Sequence, residues 1–396
     1  MHVGIVLSNC VNGRLDGNNC SNNICGIEIL YSSTNTLGNN NCSSNDLDGV
    51  YFGHCDNNTL SNNNCSSNNG WGMCIVFSNN NSLDGNTCNS NERGIALVLS
   101  SDSILNSNIC NSNRLAGMEI QGSNNNSLRG NTCSSNGYSG IYLYDSSHNN
   151  TLSSNTCHSN IIGGIWLDSS SNNTLGDNNC SNNGRGIYLS YSSNNTLSNN
   201  NCSSSNSGIS LSYSSNSNTL ANNTCNSNTA LGIRLDLSHS NTLANNTCSL
   251  NVAMGVDLNS SDGNTIFWNI IFDNSGYGAE ISSGSNNRIW NNTFYHNNGA
   301  GDAYDPAHVQ ARDDGTGNWW NSTDGHGNYW SDWTTPDVVP PYGVVDLPYN
   351  IEGGEGAKDF YPLTTPQEPI PEFGAMPLVV MVLLAAILLT IGARRR

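Results

Sequence analysis

Two apolar motifs recur along most of the chain with a common period near 23 residues. The first is Gly followed by an apolar, a variable and another apolar residue, repeated thirteen times from Gly4 to Gly278. This alternation predicts a short strand that is buried on one face. The second is Leu-x-x-Asn-x-Cys. Its cysteines are Cys20, Cys42, Cys65, Cys88, Cys110, Cys133, Cys157, Cys180, Cys202, Cys225 and Cys248.

Two further copies of the second motif keep the spacing but carry Ile271 and Phe294 in place of Cys. Such a period fits one coil of a solenoid in which each coil stacks on the preceding one. Each coil then contributes two strand residues, the Leu and the Cys to the interior. The sequence therefore predicts an all-β fold, a single-stranded parallel β-helix of about 13 coils, with like residues in ladders about 4.8 Å apart.

Asparagine shares the period. It stands two residues before every Cys position, from Asn18 to Asn292, and three residues after in every copy except Ser205. Because stacked asparagines hydrogen-bond to one another and tolerate left-handed turns, we expect them to hold the corners of the coils.

The eleven repeated cysteines are expected to be free and buried. Parallel side chains in one ladder suit a disulfide poorly, and a free Cys packs as a small hydrophobe. Cys10, Cys25, Cys55 and Cys74 lie off this ladder. The sequence has no Cys/His spacing typical of a zinc site, so it predicts no metal site and no cofactor.

The segments NNTLSNNNCSSS (194–205) and GIYLSYSSNNTLSNN (186–200) resemble the NosD-type right-handed parallel β-helix repeats, which are grouped with carbohydrate-binding and sugar-hydrolase domains. The resemblance covers residues 1–298 and implies a right-handed helix. It also implies a candidate role in copper delivery, which would need exposed imidazole or soft ligands. The loose group of such residues comprises His296, His308 and His326, near Asp305 and Asp324.

Charge narrows the range of partners. Lys and Arg total 12 against 30 Asp and Glu, which gives a net charge of -18. This balance argues against nucleic acid and anionic membrane surfaces as partners, and against a polyanionic substrate unless a cation bridges it to the protein.

The variable strand position and the residue two places later are expected to face outward and to form one long surface. Aromatic side chains stacked there would give apolar platforms for sugar rings, with carboxylates accepting hydroxyl hydrogen bonds. Ordinary stacking on a sheet surface is the alternative. The candidate glycan-binding residues are Glu119, Tyr142, Tyr144, Trp166, Asp168 and Tyr188.

Further along the same surface lie Arg234, Asp236, Asp257 and Glu280. Asp257 and Glu280 should occupy one column on successive coils, and two carboxylates about 5 Å apart match a retaining glycosidase pair. The alternative is a solvated acidic face. A pectin-degrading β-helix hydrolase would pair a Gly-His-Gly with a downstream Arg-x-Lys, but here Gly-His-Gly (325–327) lies beyond the repeats and has no such partner.

After the repeats, residues 299–363 are expected to cap the last coil, since GNYWSDW and DFYPL resemble the closing segment of such helices. Residues 364–374 form a Pro-rich linker. Residues 375–393 have no charged residue and are long enough for a transmembrane helix. The Arg cluster 394–396 would stay cytoplasmic, which puts the β-helix outside. The capping aromatics are Trp319, Trp320, Tyr329, Trp330 and Trp333.

Pro371, Glu372 and Phe373 precede the apolar span and resemble the PEF-type C-terminal sorting signals of archaeal surface proteins, which implies recognition by a sorting enzyme. Frequent Asn-x-Ser/Thr sequons, such as those at Asn57 and Asn149, are candidate glycosylation sites. The chain starts inside a repeat, so we expect that its first coil was preceded by further residues.

The sequence thus predicts a cell-surface protein, anchored at the membrane by its C-terminus, that binds a glycan or envelope polysaccharide or serves as a structural envelope element. A polysaccharide hydrolase that uses Asp257 and Glu280 is the alternative. A copper accessory protein is the second alternative.

Overall fold

A computed structural model of the protein describes residues 2–340, 342–354 and 356–366. Within these ranges, no helix is long and apolar enough to cross a bilayer. The predicted transmembrane helix (375–393), the Arg cluster and the sorting residues Pro371, Glu372 and Phe373 lie outside the described residues.

The described residues form a parallel β-helix, which confirms the predicted fold class. The largest sheet, sheet 1, has fourteen strands within these residues, and each pairs in parallel with the strand one coil away. Its strands are Ile5–Ser8, Ile27–Leu30, Val50–Gly53, Trp71–Val76, Arg93–Val98, Met118–Gln121, Ser139–Tyr144, Gly163–Asp168, Arg185–Ser190, Ser207–Ser212, Leu231–Asp236, Val256–Asn259, Ala279–Ile281 and Ala311–Asp313.

Sheet 2 is built from the Leu of the second motif and has thirteen strands in the described part of the chain. Its strands are Arg14–Asp16, Thr36–Gly38, Thr59–Ser61, Ser82–Asp84, Ile104–Asn106, Ser127–Arg129, Thr151–Ser153, Thr174–Gly176, Thr196–Ser198, Thr219–Ala221, Thr242–Ala244, Thr265–Phe267 and Arg288–Trp290.

Sheet 3 contains Thr247–Ser249, Ile270–Phe272, Thr293–Tyr295 and Tyr329–Trp330. A line of single parallel bridges, starting at Asn19 and Asn41, extends it through the earlier coils. The remaining elements are an antiparallel pair, Tyr349–Asn350 with Lys358–Asp359, and a short 3-10 helix, Asn297–Gly299.

The interior consists of the predicted ladders. On coil 2, for example, Ile27, Ile29, Leu37 and Cys42 are all fully buried. All eleven ladder cysteines are buried and free, as predicted. Of the other four, Cys55 and Cys74 are also buried, whereas Cys10 and Cys25 are partly exposed.

The Gly of the first motif is explained by its contact with this ladder. A Cβ added at Gly94 would lie 2.3 Å from the Gly117 carbonyl oxygen and 2.8 Å from the Cβ of Cys110 on the next coil. Both distances are shorter than real contacts, so only Gly fits beside the cysteine ladder. Gly and Cys therefore recur together because the Cys side chain occupies the space that a side chain at the Gly position would need.

The asparagine ladders also form as predicted. The Asn63 side-chain oxygen accepts hydrogen bonds from the backbone and side-chain nitrogens of Asn40, at 3.0 and 2.9 Å. The side-chain nitrogen of Asn63 donates to the Leu37 carbonyl oxygen at 3.0 Å and to the Asn86 Oδ1 at 2.9 Å. A third ladder, not predicted, runs through Asn35, Asn58 and Asn81 ahead of sheet 2.

The left-handed turn residues are separate from these ladders. Asn62 has a φ of 53°, while its buried neighbour Asn63 carries the ladder bonds. The expectation that one asparagine does both was therefore too simple: adjacent residues divide the two tasks.

The closing segment is continuous with the helix. Ala311–Asp313 is the last strand of sheet 1, and Tyr329–Trp330 is the last strand of sheet 3. The Trp330 ring stacks on Phe294 at 4.4 Å and on Tyr349 at 4.1 Å. The ring of Trp319, in contrast, is 54% exposed and lies under the Arg288 guanidinium group, so it does not cover the last coil.

Candidate functional site

The outer face of sheet 1 collects most of the predicted site residues. We number the coils from the Gly that opens each one, so that coil 1 starts at Gly4. The strand register then places one column of outward residues on successive coils. From coil 6 to coil 13 this column is Glu119, Tyr142, Trp166, Tyr188, Ser210, Arg234, Asp257 and Glu280.

Tyr144, Asp168 and Asp236 stand two positions further along their strands, in the neighbouring outward column. The sequence pattern therefore assigned the whole set to one surface. Because side chains alternate across a strand, a one-residue error in register would have turned every one of them inward.

An aromatic cluster occupies this face on coils 7 to 9. The Trp166 ring lies 5.0 Å from that of Tyr142 and 5.3 Å from that of Tyr188, with the planes tilted by 42° and 44°. Tyr144 stacks on Tyr142 at 4.5 Å. Tyr138, which the sequence did not single out, stacks on Trp166 at 5.3 Å. We call these five residues the aromatic cluster.

The rings of the aromatic cluster pack against one another, so their faces are partly covered. Tyr188 is only 8% exposed and also lies under the Arg185 guanidinium group, 4.4 Å from its ring centre. Burial raises the pKa of the Tyr144 phenol to about 12 and that of Tyr142 further. Their hydroxyl groups therefore stay protonated and can donate hydrogen bonds at neutral pH.

A polar network borders the cluster on coil 6. The Arg93 Nε donates to the Glu119 Oε1 at 2.7 Å. The Tyr144 hydroxyl donates to Gln121, whose side-chain nitrogen donates to Asp145 at 2.7 Å. Burial raises the pKa of Glu119, although the Arg93 charge opposes this shift. The carboxylate is thereby held in a fixed position beside the rings.

On coil 8, a second carboxylate is held at the far edge of the cluster. The Trp166 Nε1 donates to the Ser190 hydroxyl at 3.2 Å, and this hydroxyl donates to the Asp168 Oδ1 at 3.0 Å. Rings and fixed acceptors thus lie side by side on one surface, and sugars bind to surfaces that combine the two.

The carboxylate pair lies at the C-terminal end of the same column. Asp257 and Glu280 are direct partners across adjacent strands, as predicted, and are 7% and 9% exposed. The Arg234 Nε lies 3.6 Å from the Asp257 Oδ2, and the Arg312 Nε lies 4.0 Å from the Glu280 Oε1. Two acids thus lie between two arginines along the helix axis.

Burial raises the pKa of Asp257 to about 6; the Arg234 charge lowers it and the Glu280 charge raises it. Burial also raises the pKa of Glu280 against the effect of Arg312. Asp236 accepts a hydrogen bond from the Asn259 side chain at 2.7 Å and lies 3.8 Å from the Arg234 Nη2. A carboxyl group that titrates near neutrality beside a second carboxylate can exchange protons with a ligand.

Three residues of this surface were not predicted from the sequence pattern. Arg93 is the first residue of its strand, directly before the motif Gly, and Tyr138 directly precedes its strand, so both lie outside the motif's alternating positions. Arg312 joins the column 32 residues after Glu280, because the regular spacing ends at coil 13. An arginine directly before the Gly of a repeat, as at Arg93 and Arg185, was the available signal.

Among the described residues, no group of three or more His, Cys, Asp or Glu side chains is placed to hold a metal ion. The His296 imidazole, part of the loose histidine group, lies 2.9 Å from Asp302 and 3.8 Å from Asp273. The His308 ring nitrogen lies 2.9 Å from the Asn298 carbonyl oxygen.

Two protein families match the sequence. The family described as "Right handed beta helix region" matches residues 3–156 and 94–225, which together span more than half of the chain. The family described as "Periplasmic copper-binding protein (NosD)" matches residues 162–335. A comparison with curated proteins finds no match.

Solved structures share the fold at low sequence identity. The Dettilon tailspike protein has a TM-score of 0.50 and 14% identity, and the match covers 73% of this chain and 61% of that one. A PL6 alginate lyase complexed with a trisaccharide has a TM-score of 0.47 and 13% identity over 95% and 90% of the two chains. The AlgE6 A-module of the Azotobacter vinelandii mannuronan C-5 epimerase has a TM-score of 0.45 and 15% identity over 82% and 80%. At such identities the likeness concerns the fold alone.

Proposed function

The chain belongs to the right-handed β-helix family, and from that premise we propose that it binds a neutral, linear polysaccharide on the outer face of sheet 1. The observation that carries this proposal is the aromatic cluster on coils 7 to 9. The core lies on the other face of the sheet, and other coils place Ala96 and Ser210 in the same column. The fold itself therefore does not require rings there.

The chemistry around the cluster favours a neutral ligand. Glu119 and Asp168 are fixed acceptors for hydroxyl groups, and the tyrosine hydroxyls can donate. Nearby Arg93 is already paired with Glu119 and Glu92. A net charge of -18 on the chain would repel a polyuronate.

The test compares the full chain with a Trp166→Ala variant in affinity electrophoresis against xylan, galactomannan and mixed-linkage β-glucan. We expect one of these polymers to retard the wild-type chain and the variant to bind it at least tenfold more weakly, because the central ring is lost. Tyr295→Ala, which removes an exposed ring outside sheet 1, is the matched control and should bind as the wild type does. Equal retardation of wild type and Trp166→Ala would refute the proposed site.

A polysaccharide hydrolase remains the second candidate, because the pKa of Asp257 is raised to about 6 beside Glu280. In that case Asp257 would donate a proton to the leaving oxygen and Glu280 would act as the nucleophile. The binding proposal predicts that reducing-end assays on the same polymers detect no cleavage. Cleavage that disappears in Asp257→Asn and Glu280→Gln variants would establish the hydrolase instead.

The cell-surface location is proposed from the sequence alone. It rests on the apolar stretch 375–393, the following arginines and the resemblance of Pro371, Glu372 and Phe373 to a sorting signal. Protease added to intact cells should remove the β-helix from the cell fraction. Complete protection of the chain in intact cells, but not in lysed ones, would contradict this location.

A further inference from the structure

One corner of the helix carries large side chains where small ones would fit the backbone better. This corner is the residue that directly follows each of the first twelve strands of sheet 1, and its backbone is left-handed. Tyr31 has a φ of 49° and Tyr191 a φ of 50°. A bulky residue in this conformation costs about 1 kcal/mol. We call these large residues the corner row: Tyr31, His54, Phe77 and Leu99 on coils 2 to 5, and Tyr191, Tyr213 and Leu237 on coils 9 to 11.

The other left-handed corners of the same coils provide an internal comparison. Among the described residues of the repeats, they are filled by Asn, Ser, Asp, Gly and Thr, with Leu250, Trp268 and His296 as exceptions. On coil 1, Asn9 occupies the same corner position that Tyr31 occupies on coil 2. The turn therefore accepts the small polar residues that left-handed backbone favours, and its geometry does not demand rings.

The rings of the corner row stack along the helix axis. His54 lies between Tyr31 and Phe77, with centroids 5.1 Å apart on each side and planes within 4° and 9° of parallel. Tyr191 and Tyr213 stack at 5.3 Å. Stacking hides the ring faces but leaves their edges and polar atoms outward. The side chains of Tyr31 and Tyr191 are 61% and 59% exposed.

The two halves of the corner row flank the aromatic cluster. On coils 6 to 8 the corner is occupied by Gly122, Asp145 and Ser169 instead. On coils 7 and 8 rings lie instead on the adjacent sheet face, as Tyr144 and Trp166 do, and on coil 6 this face carries Glu119 and Gln121. Large side chains therefore follow one another from coil 2 to coil 11, first at the corner, then on the face, and then at the corner again.

We propose that the corner row extends the polysaccharide site, so that one linear polymer lies along the helix axis from coil 2 to coil 11. Nine coil intervals span roughly 43 Å at the spacing of parallel strands. The hydroxyl groups of Tyr31, Tyr191 and Tyr213 and the His54 imidazole meet sugar hydroxyls on coils 2, 3, 9 and 10, and the ring edges meet the apolar faces. This inference rests on the proposed function and adds the orientation and length of the ligand.

The test separates long ligands from short ones. Fragments of four and of twelve sugar units are prepared from the polymer that retards the wild-type chain, and their affinities are measured by calorimetry. One variant combines Tyr31→Asn, His54→Asn and Phe77→Asn. Asparagine suits left-handed backbone, so the variant should fold. Leu250→Asn changes a left-handed corner away from sheet 1 and is the matched control.

We expect the wild-type chain to bind the twelve-unit fragment more tightly than the four-unit fragment. The triple variant should bind the long fragment about tenfold more weakly and the short one unchanged, while Leu250→Asn should change neither. If the triple variant keeps full affinity for the long fragment, or loses both affinities equally, the inference is wrong and the central site still stands. If the wild-type chain binds neither fragment, the proposed function fails with it.

Discussion

At the residue scale, the fold depends on a few repeated side chains. The polar ones among them hydrogen-bond to the equivalent residues on the neighbouring coils. Only 36% of the residues are hydrophobic, yet the coil interior is closed because each inward residue stacks on its equivalent. The Asn and Cys ladders could be predicted, since an exact period places like residues above one another. The third ladder, through Asn35, Asn58 and Asn81, corresponds to the Asn of the repeated Asn-Thr-Leu. It was not predicted, because no second residue type at a fixed spacing marked this Asn in the way that Cys marks the other two ladders.

Replacement of one ladder asparagine should be strongly destabilising. Asn155→Ala removes the acceptor of the Asn131 backbone N–H and the side-chain donor to the Leu128 carbonyl, whereas the Asn131 side-chain nitrogen keeps its bond to the Leu105 carbonyl. The loss of these two buried hydrogen bonds should cost roughly 2–6 kcal/mol. Thermal unfolding followed by circular dichroism measures the loss. Thr151→Ala, at an exposed position of the same coil, should stay within about 0.5 kcal/mol of the wild type. Equal stability of the two variants would refute the structural role of the ladder.

The cysteine ladder should be chemically silent in the folded chain. Burial raises the pKa values of Cys110 and Cys180 well above the ordinary value, so their reactive thiolate forms are scarce. Labelling with a thiol reagent under native conditions should modify only the partly exposed Cys10 and Cys25. The thirteen other thiols should react after unfolding in guanidinium chloride. Rapid native labelling of the ladder would contradict its burial.

At the scale of the strand and sheet, the repeat period determines register, and register determines which residues share the outer face. The pairing of Asp257 with Glu280 followed directly from the 23-residue step. Of the two arginines beside this pair, the sequence identified Arg234 and missed Arg312. Arg234 belongs to the repeat, whereas Arg312 enters after an irregular excursion that no periodicity describes. Tyr138 was missed because it lies in a connecting segment and not in the strand alternation.

The buried acids of these sheets should make the protein more stable in mild acid than at neutral pH. The folded-state pKa of Asp257 is about 6, above the ordinary value of 3.8. Its contribution is therefore complete below the ordinary value and is lost as the pH rises through 6. Asp359, buried in the closing segment, shifts to about 6 in the same way. The melting temperature should fall between pH 4.5 and 7.

Asp257→Asn isolates one part of this dependence, because the amide cannot titrate. The difference in unfolding free energy between pH 4.5 and 7 should shrink by on the order of 2 kcal/mol. Asp145→Asn, at an exposed position, should leave the dependence unchanged. An identical pH profile for Asp257→Asn and the wild type would show that this carboxyl group titrates normally in the folded chain.

At the scale of the whole molecule, the β-helix presents one continuous outer surface whose chemistry changes along its length. Stacked rings lie on coils 2 to 4 and again on coils 7 to 10, and paired acids and arginines follow on coils 11 to 13. The sequence identified the repeated part of this surface. It did not reveal that the rings of the aromatic cluster pack against one another in a mixture of stacked and tilted pairs, because ring orientation depends on contacts between coils and not on spacing.

The most direct test of the account is a crystal structure of the full chain with the four-unit fragment of the polymer that it binds. We predict sugar rings against the exposed edges of Trp166 and Tyr142, with hydroxyl groups bonded to Glu119 or Asp168. A fragment bound on another sheet, with the outer face of coils 7 to 9 unoccupied, would contradict the central claim.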